Sequence, residues 1–186
     1  SVVDASLIDW YKESMMKEPV EKRGANKEYW IWEYPNHNKD YVVAADVARG
    51  DGRDKSAFHV FDVENVRQVA EFKGEVETKD FGNLLVAVAS EFNGALLVVE
   101  NANIGWAVLQ QIIDKGYNNL YYTQRDYQYI DEFSQHTNKL NRMEKKQVPG
   151  FTTSIKTRPL IISKMEGYVR EKEVEVFSER TLDEQV

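Results

Sequence analysis

Three short strands joined by tight turns, followed by alternating helices and strands, constrain the fold of this chain more than any other feature of its sequence. Tyr41–Val47 (YVVAADV) is a nearly continuous apolar run, which is typical of a strand buried on both faces. Ala57–Asp62 and Gln68–Gly74 predict two further strands, and the alternating segment Tyr29–Tyr34 has strand character as well. Because short turns join the three consecutive strands, we expect an antiparallel meander.

Two helical units follow the meander. Apolar residues recur at helical spacing after Thr78, which is a good N-cap residue. Ala95–Glu100 (ALLVVE) then predicts a short buried strand, and Leu120–Thr123 predicts a fifth strand. Between them lies a second helix that ends near Gly116. The stripe that we expect this helix to bury consists of Trp106, Leu109 and Ile113.

The flanking segments carry weaker signals. Residues 1–27 are mixed and charged, and we interpret them as an outer helix or linker preceding one domain at 28–186. Residues 124–150 are typical of a long surface loop or a hairpin insertion. A last helix is expected to begin near Thr157–Pro159, where proline suits the first turn, and Val174–Phe177 predicts a small edge strand.

The predicted order of elements is β-β-β-α-β-α-β-α, which few α/β architectures accommodate. This order resembles the ribonuclease H-like fold, in which helices flank a central mixed sheet of five or more strands. The resemblance implies that the first and fourth strands, Tyr41–Val47 and Ala95–Glu100, lie side by side at the centre of the sheet.

Acidic residues occur on those two strands. Asp46 interrupts an otherwise apolar strand, and Glu100 ends another. Burying an unpaired carboxylate costs several kcal/mol, so each acid needs a cation or a donor network. If the strands are neighbours, about 5 Å apart, both carboxylates reach one metal site, as two-metal phosphodiester hydrolysis requires. The alternative is that Asp46 is a turn acid and Glu100 meets solvent at the edge of the sheet.

The turn after the first strand contains a third acid. Gly50 and Gly52 form a tight turn in ARGDGRDKSA, with Asp54 and Ser56 directed toward the strand ends. Asp54 either supports the metal site or satisfies amides of its own hairpin, and the local sequence does not favour one reading. An EF-hand calcium loop is excluded, because that register places Val47 and Phe58 at ligand positions.

The composition limits the metal and the mode of DNA binding. The chain has no cysteine, and its three histidines are not spaced as ligands, so oxygen ligands suited to magnesium, manganese or calcium are expected rather than a zinc site. A net charge of −7 argues against a simple nucleic-acid-binding module, unless another domain delivers the substrate or metal ions offset the acids. No apolar run approaches the roughly 20 residues of a membrane helix, so no membrane association is expected.

Three segments resemble the nuclease domain of tailed-bacteriophage large terminase subunits. DVARGDGRDKSAFHVFD (Asp46–Asp62) is similar to the first nuclease motif of that family, with an aspartate, a glycine turn and a second aspartate in order. LLVVENANIGWAVLQQI (Leu96–Ile112) is similar to the second motif, with a glutamate and a glycine that opens the next helix. GFTTSIKTRPLIISKMEGYV (Gly150–Val169) resembles the segment leading into the last helix.

The resemblance implies a metal-dependent endonuclease that cuts concatemeric viral DNA during genome packaging. Asp46 and Glu100 would then be catalytic metal ligands for two Mg²⁺ or Mn²⁺ ions, with Asp54 as an auxiliary catalytic acid and ligand. The implied partners are double-stranded DNA, a terminase ATPase domain, the small terminase subunit and the portal protein. The implied place of action is the cytoplasm of the infected host cell.

The sequence departs from the family pattern in two respects. It contains no G-x-x-x-x-G-K-[ST] loop, so the ATPase motor of the family is not part of this chain. The third catalytic aspartate of the family lies in a C-terminal Asp-Asp motif. Asp183 or Glu184 could substitute, but neither aligns with that motif, so we expect the third acid beyond Val186.

A local excess of positive charge predicts the DNA-binding residues. These residues are Lys139, Arg142, Lys145, Lys146, Lys156 and Arg158. Lysine and arginine contacts to phosphate would position DNA without reading its sequence. The alternative is a solvated loop with interspersed charges.

Three other functions stay open at this point. A nucleotide-binding domain of the actin–hexokinase type shares the fold, but such proteins pair two copies of it and the sequence shows one. A non-catalytic docking domain of a packaging motor would use the acids only for structure. A resolvase or integrase would be a nuclease of the same fold, although the DxxxGxGxD pattern favours the terminase resemblance.

Overall fold

The main sheet of this protein contains six strands. The computed structural model describes residues 3–48, 55–102, 104–124, 147–151, 167 and 170–184. The strands of the sheet are β1 (Glu21–Arg23), β2 (Tyr29–Ile31), β3 (Tyr41–Asp46), β4 (Ser56–Asp62), β5 (Arg67–Gly74) and β6 (Leu96–Val99). The helices are α1 (Ala5–Ser14), α2 (Thr78–Glu91), α3 (Gly105–Asp114) and α4 (Glu179–Asp183). Among the helices of these described residues, none is long and apolar enough to cross a membrane.

The strand order of the sheet is β1-β2-β5-β4-β3-β6. The meander β3-β4-β5 is antiparallel, as the short turns predict, and β6 joins β3 in parallel. The predicted adjacency of the first and fourth strands is therefore confirmed. The architecture is the mixed α/β arrangement of the ribonuclease H-like fold, with helices flanking a central sheet.

One face of the sheet forms the core with α2 and α3. Val43 and Ala45 of β3 are buried on this face, as are the inward side chains of the neighbouring strands. On the opposite face of β3, Val42 and Ala44 are half-buried and Asp46 is exposed. The apolar run of β3 is thus fully buried on one face only, and its acid lies on the other.

Several element boundaries differ from the prediction. Helix α2 begins at Thr78 itself, and Glu77 is its N-cap without a side-chain capping bond. In place of the predicted fifth strand, Leu120 makes an isolated parallel bridge to Leu97, and β7 (Tyr122–Gln124) pairs with β8 (Gln147–Pro149) in a separate two-stranded sheet. That antiparallel pairing joins the two ends of the predicted insertion, as a hairpin would.

The predicted buried stripe of α3 is wrong at two of its three positions. Leu109 is buried, but Trp106 is 48% exposed and Ile113 is 41% exposed. The helix packs instead through Val108, Leu109 and Ile112. At 3.6 residues per turn, Trp106 lies about half a turn from Val108, on the solvent side.

The chain ends contain structure that the sequence pattern did not indicate. Helix α1, in the segment interpreted as an outer helix or linker, buries Ile8 and Tyr11. Strand β1, within the segment interpreted as a linker, pairs with β2 at the edge of the main sheet. The predicted edge strand at Val174–Phe177 is reduced to one bridge between Glu175 and Arg67. The helix expected from Thr157–Pro159 begins outside the described residues.

Candidate active site

Asp46 and Glu100 occupy adjacent positions at one edge of the sheet. Asp46 is the last residue of β3, and Glu100 directly follows β6. Ala45 lies opposite Val99 in the parallel register, and the Glu100 amide donates to the Ala45 carbonyl at 3.1 Å. Continuing that register places both acids on the same face, with backbones about 5 Å apart. The sheet therefore brings the two predicted carboxylates together.

The environment of Asp46 disfavours its charged form. Although Asp46 is exposed overall, partial burial of its carboxylate first, and then the negative charges of Glu100 and Glu184, raise its pKa above the usual value. A divalent cation would offset this clustered negative charge, and carboxylate oxygens are suitable ligands for Mg²⁺ or Mn²⁺. The residues present thus fit a hard divalent ion.

A third acid reaches this edge from α4. Glu184 follows that helix, contributes to the raised pKa of Asp46, and forms an ion pair with Lys73 of β5. Within the described ranges, no three acidic or histidine side chains converge closely enough to form a metal site. Glu184 is therefore near the carboxylate pair but is not arranged as a ligand with it.

A glycine permits the close packing of α3 against Glu100. A Cβ atom built on Gly105, the first residue of α3, would overlap the backbone carbonyl oxygen of Glu100. Any side chain at this position must displace either the helix or the end of β6. The glycine of the second motif thus has a steric role in placing Glu100.

A second glycine packs against the same strand end from the hairpin side. Gly150 has a φ of +85°, and a Cβ there would lie 2.6 Å from the Val99 carbonyl oxygen. Phe151 pairs with Glu100, and its amide donates to Val99 at 2.7 Å. The side-chain amide nitrogen of the buried residue Asn101 donates to the Pro149 carbonyl at 3.0 Å. The backbone that carries Glu100 is therefore held on both sides.

A buried polar network anchors α4 on the face of the sheet that carries Asp46. The Gln68 side-chain oxygen accepts from the amides of Phe177 and Ser178 at 3.2 and 3.1 Å. The Gln68 side-chain nitrogen donates to the Thr181 hydroxyl at 3.1 Å and lies 3.1 Å from Nδ1 of His59. Burial lowers the pKa of His59, which favours its neutral form in this network.

Glu71 completes the anchor of α4. It is 2% exposed, accepts from the Ser178 hydroxyl, and lies 3.5 Å from the Arg180 side chain. The sequence pattern did not single out Gln68, Glu71 or Ser178. The one available signal was the polar pair Gln68 and Glu71 flanking the apolar residues Val69 and Ala70 in this strand.

The remaining predicted site residues lie outside the described residues. Asp54 lies within residues 49–54, outside the described ranges, although Ser56 accepts from the Ala48 amide at 3.1 Å and closes the base of that turn. The predicted direction of Ser56 is thus confirmed. The six predicted DNA-binding residues also fall outside the described ranges; they are Lys139, Arg142, Lys145, Lys146, Lys156 and Arg158.

Solved structures with the same fold are nuclease domains. The large terminase nuclease from thermophilic phage G20c with bound magnesium matches with a TM-score of 0.67 at 18% identity, covering 99% of this chain and 78% of that one. The same nuclease with bound zinc gives 0.66 at 17% identity, covering 97% and 86%. The large terminase nuclease domain of Thermus phage P74-26 gives 0.61 at 17% identity, covering 94% and 73%.

Sequence comparisons add no closer relative. No protein-family model matches this chain, and no curated protein matches it either. The structural likeness shows that this chain shares the fold of large terminase nuclease domains.

Proposed function

We propose that this chain, with the fold of large terminase nuclease domains, is a divalent-metal-dependent DNA endonuclease that cuts viral DNA during genome packaging. The observation that carries the proposal is the placement of Asp46 and Glu100 on adjacent strand ends, on one face of the sheet. The likeness to nuclease domains solved with bound metals supports it. A purely structural role for the two acids would leave the repulsion between them uncompensated.

Asp46 and Glu100 are the proposed metal ligands. Asp46 and Glu100 would hold the metal, and Mg²⁺ or Mn²⁺, two ions in the active form, is the proposed cofactor. Such ions, when bound, lower the pKa of water and stabilise developing charge on a phosphodiester. The protein contributes a fixed pair of carboxylates, because Gly105 and Gly150 hold the Glu100 backbone and the β3–β6 register fixes Asp46 beside it.

Glu184 is the acid that we propose completes the site. It acts electrostatically on Asp46 in the metal-free protein and is held by Lys73. Asp54 remains the proposed auxiliary acid from the turn after β3.

The proposed substrate is double-stranded DNA, and the proposed partners follow from the terminase resemblance. They are the ATPase domain, the small terminase subunit and the portal protein, in the cytoplasm of an infected host cell. The net charge of −7 is compatible with this role when bound cations offset the acids and a motor delivers the DNA.

The direct test is cleavage of supercoiled plasmid by this chain in Mg²⁺ and in Mn²⁺. We expect nicked and linear products that disappear with chelator and with either Asp46→Asn or Glu100→Gln. Loss of one ligand from a unit that acts together should lower the rate by about two orders of magnitude or more. Equal cleavage by wild type and both variants, or none by wild type in either metal, would refute the proposal.

A further inference from the structure

A groove with excess positive charge lies on the same face of the sheet as Asp46. It has a volume of about 510 Å³ and its basic residues are Lys22, Lys27, Lys55, Lys73 and Arg180. Two acidic residues, Glu28 and Glu75, also line it. Five basic and two acidic side chains therefore line this groove, in a chain whose net charge is −7. We call this feature the basic groove.

Strand register places the basic groove beside the carboxylate pair. Lys73 lies opposite Ala57, and Ala57 lies opposite Asp46, so the three residues stand abreast across β5, β4 and β3. Directly paired residues project from the same face of a sheet. Two strand spacings put the backbone of Lys73 roughly 10 Å from that of Asp46, measured across the sheet. The groove and the carboxylates therefore lie on the same face of the sheet, and Glu184 acts on Asp46 while pairing with Lys73 of the groove.

The far end of the groove is built around Trp30. Lys22 pairs with Trp30 across β1 and β2, and Trp30 pairs with Glu71 of β5, which is on the same face as Lys73. The Lys22 ammonium lies 4.4 Å from the Trp30 ring centre, and the Arg180 guanidinium lies 3.6 Å from it. These contacts hold two cations at the groove wall without neutralising them.

The cations of the groove differ in how far carboxylates offset them. Lys73 pairs with Glu184, Arg180 lies 3.5 Å from Glu71, and Lys22 lies 3.5 Å from Glu18. Lys27 and Lys55 are both exposed, and no carboxylate in the described part of the chain forms an ion pair with either. Free surface cations of this kind bind phosphate by releasing counterions.

The geometry points to the basic groove as a track for the phosphate backbone of duplex DNA, leading from Asp46 across β4, β5 and β2. The inference rests on the proposed nuclease function and names a second DNA-contact surface. Its residues differ from the basic residues that the sequence analysis predicted to bind DNA. Exposed Lys27 and Lys55 make the phosphate contacts, while Lys22 and Arg180 line the far wall beside Trp30.

The test measures DNA binding in a chain that also carries Asp46→Asn, so that cleavage does not interfere. Fluorescence anisotropy with a labelled 30-base-pair duplex compares Lys27→Gln/Lys55→Gln with Lys79→Gln/Lys115→Gln. The control removes the same charge from exposed lysines on α2 and at the end of α3, against the opposite face of the sheet. We expect at least tenfold weaker binding for the groove variant and a salt slope smaller by about 1.8, the value for two phosphate contacts.

Two results separate this inference from the proposed function. If the groove variant binds DNA as tightly as the control, with the same salt slope, the groove is not the DNA track, whether or not the wild type cleaves. If the groove variant loses binding but Asp46→Asn alone still cleaves plasmid, the groove stands and the proposed function of Asp46 fails.

Discussion

Asp46 is held where its negative charge is unfavourable in the absence of a cation. Its pKa is raised by burial and by the neighbouring carboxylates of Glu100 and Glu184. The stabilising contribution of this group is therefore present below the ordinary pKa of 3.8 and is lost as the pH rises through the higher pKa of the folded state. At neutral pH the metal-free site costs stability, as a site built for cations would.

Asp46→Asn should therefore stabilise the metal-free protein at pH 7.5. Because the side chain is exposed, solvent screening limits the gain to about 1 kcal/mol, or roughly 2–4 °C in Tm for a chain of this size. Thermal melts in chelator at pH 7.5 and pH 4.5 measure the effect, and the gain should shrink at the lower pH. A variant less stable than wild type at pH 7.5 would show that Asp46 has a stabilising partner instead.

Gly105→Ala should reduce the cleavage rate by more than its loss of folding stability alone would. Its Cβ would overlap the Glu100 carbonyl oxygen, so the end of β6 or the start of α3 must shift. A displacement of about 1 Å at a catalytic group can cost on the order of a hundredfold in rate. Single-turnover plasmid cleavage, measured well below the Tm of the variant, tests this.

The matched control for Gly105→Ala is Gly116→Ala, just beyond the other end of α3. Gly116 has a φ of +73° and open space around its Cβ direction, so alanine there strains the backbone by about 1 kcal/mol without touching the site. Equal losses of cleavage rate in the two variants would mean that Gly105 acts only through stability.

At the scale of elements, the short helix α4 depends on side-chain hydrogen bonds rather than on its own length. Its five residues are too few to be stable alone. Gln68 binds Phe177, Ser178 and Thr181 at the start of this helix, and Glu71 binds Ser178. Through α4, this network determines where Glu184 lies relative to Asp46.

Gln68→Ala should destabilise the fold and detach α4. Buried amides left without an acceptor cost about 1–3 kcal/mol each, so we expect a total loss of about 2–4 kcal/mol. Urea unfolding measures the loss, and hydrogen exchange should show faster exchange at 177–184 than in β3. Gln110→Ala, on the exposed face of α3, serves as the control and should change stability by less than about 0.5 kcal/mol. Unchanged exchange at 177–184 would mean that α4 is held by other contacts.

The elements that the sequence predicted are those with long apolar patterns. The strands β3, β4, β5 and β6 each contain apolar residues whose local pattern predicts a strand without knowledge of the tertiary structure. β1 (EKR) is three polar residues that become a strand only because β2 offers an edge to pair with. Trp106 was misplaced because hydrophobicity alone does not say which side of a helix meets the sheet.

The candidate site was predictable in part for the same reason. Asp46 and Glu100 stand out as acids on apolar strands, and the fold resemblance implied that the two strands are neighbours. Glu184 could not be found in this way, because its approach to Asp46 depends on the Gln68 network more than a hundred residues away in sequence. Pairings of that range leave no periodic signal.

At the scale of the whole molecule, the proposed function requires a chain of net charge −7 to bind a polyanion. The structure separates charges by location, with the carboxylates at the ends of β3 and β6 and the basic groove beside them. Five cations from separate parts of the chain come together only in the folded sheet, so the groove is not visible as a run of basic residues.

Divalent metal should stabilise the whole molecule through the same carboxylates. Binding to the folded state alone adds about 2.7 kcal/mol at a hundred times the Kd, which is roughly 5–10 °C in Tm for a chain of this size. Melting curves in increasing Mn²⁺ test this, and the increase should be absent in the Asp46→Asn/Glu100→Gln double variant. An equal increase in both proteins would place the stabilising ion elsewhere.

The most direct test of the central claim is anomalous diffraction from crystals of this protein soaked in Mn²⁺. We predict two manganese peaks at the ends of β3 and β6, about 3.5–4 Å apart, as in two-metal sites. Both should have carboxylate oxygens of Asp46 among their ligands, and one should also bind Glu100. Manganese bound only at other positions, or a fully soaked crystal with no peak beside Asp46, would contradict the account.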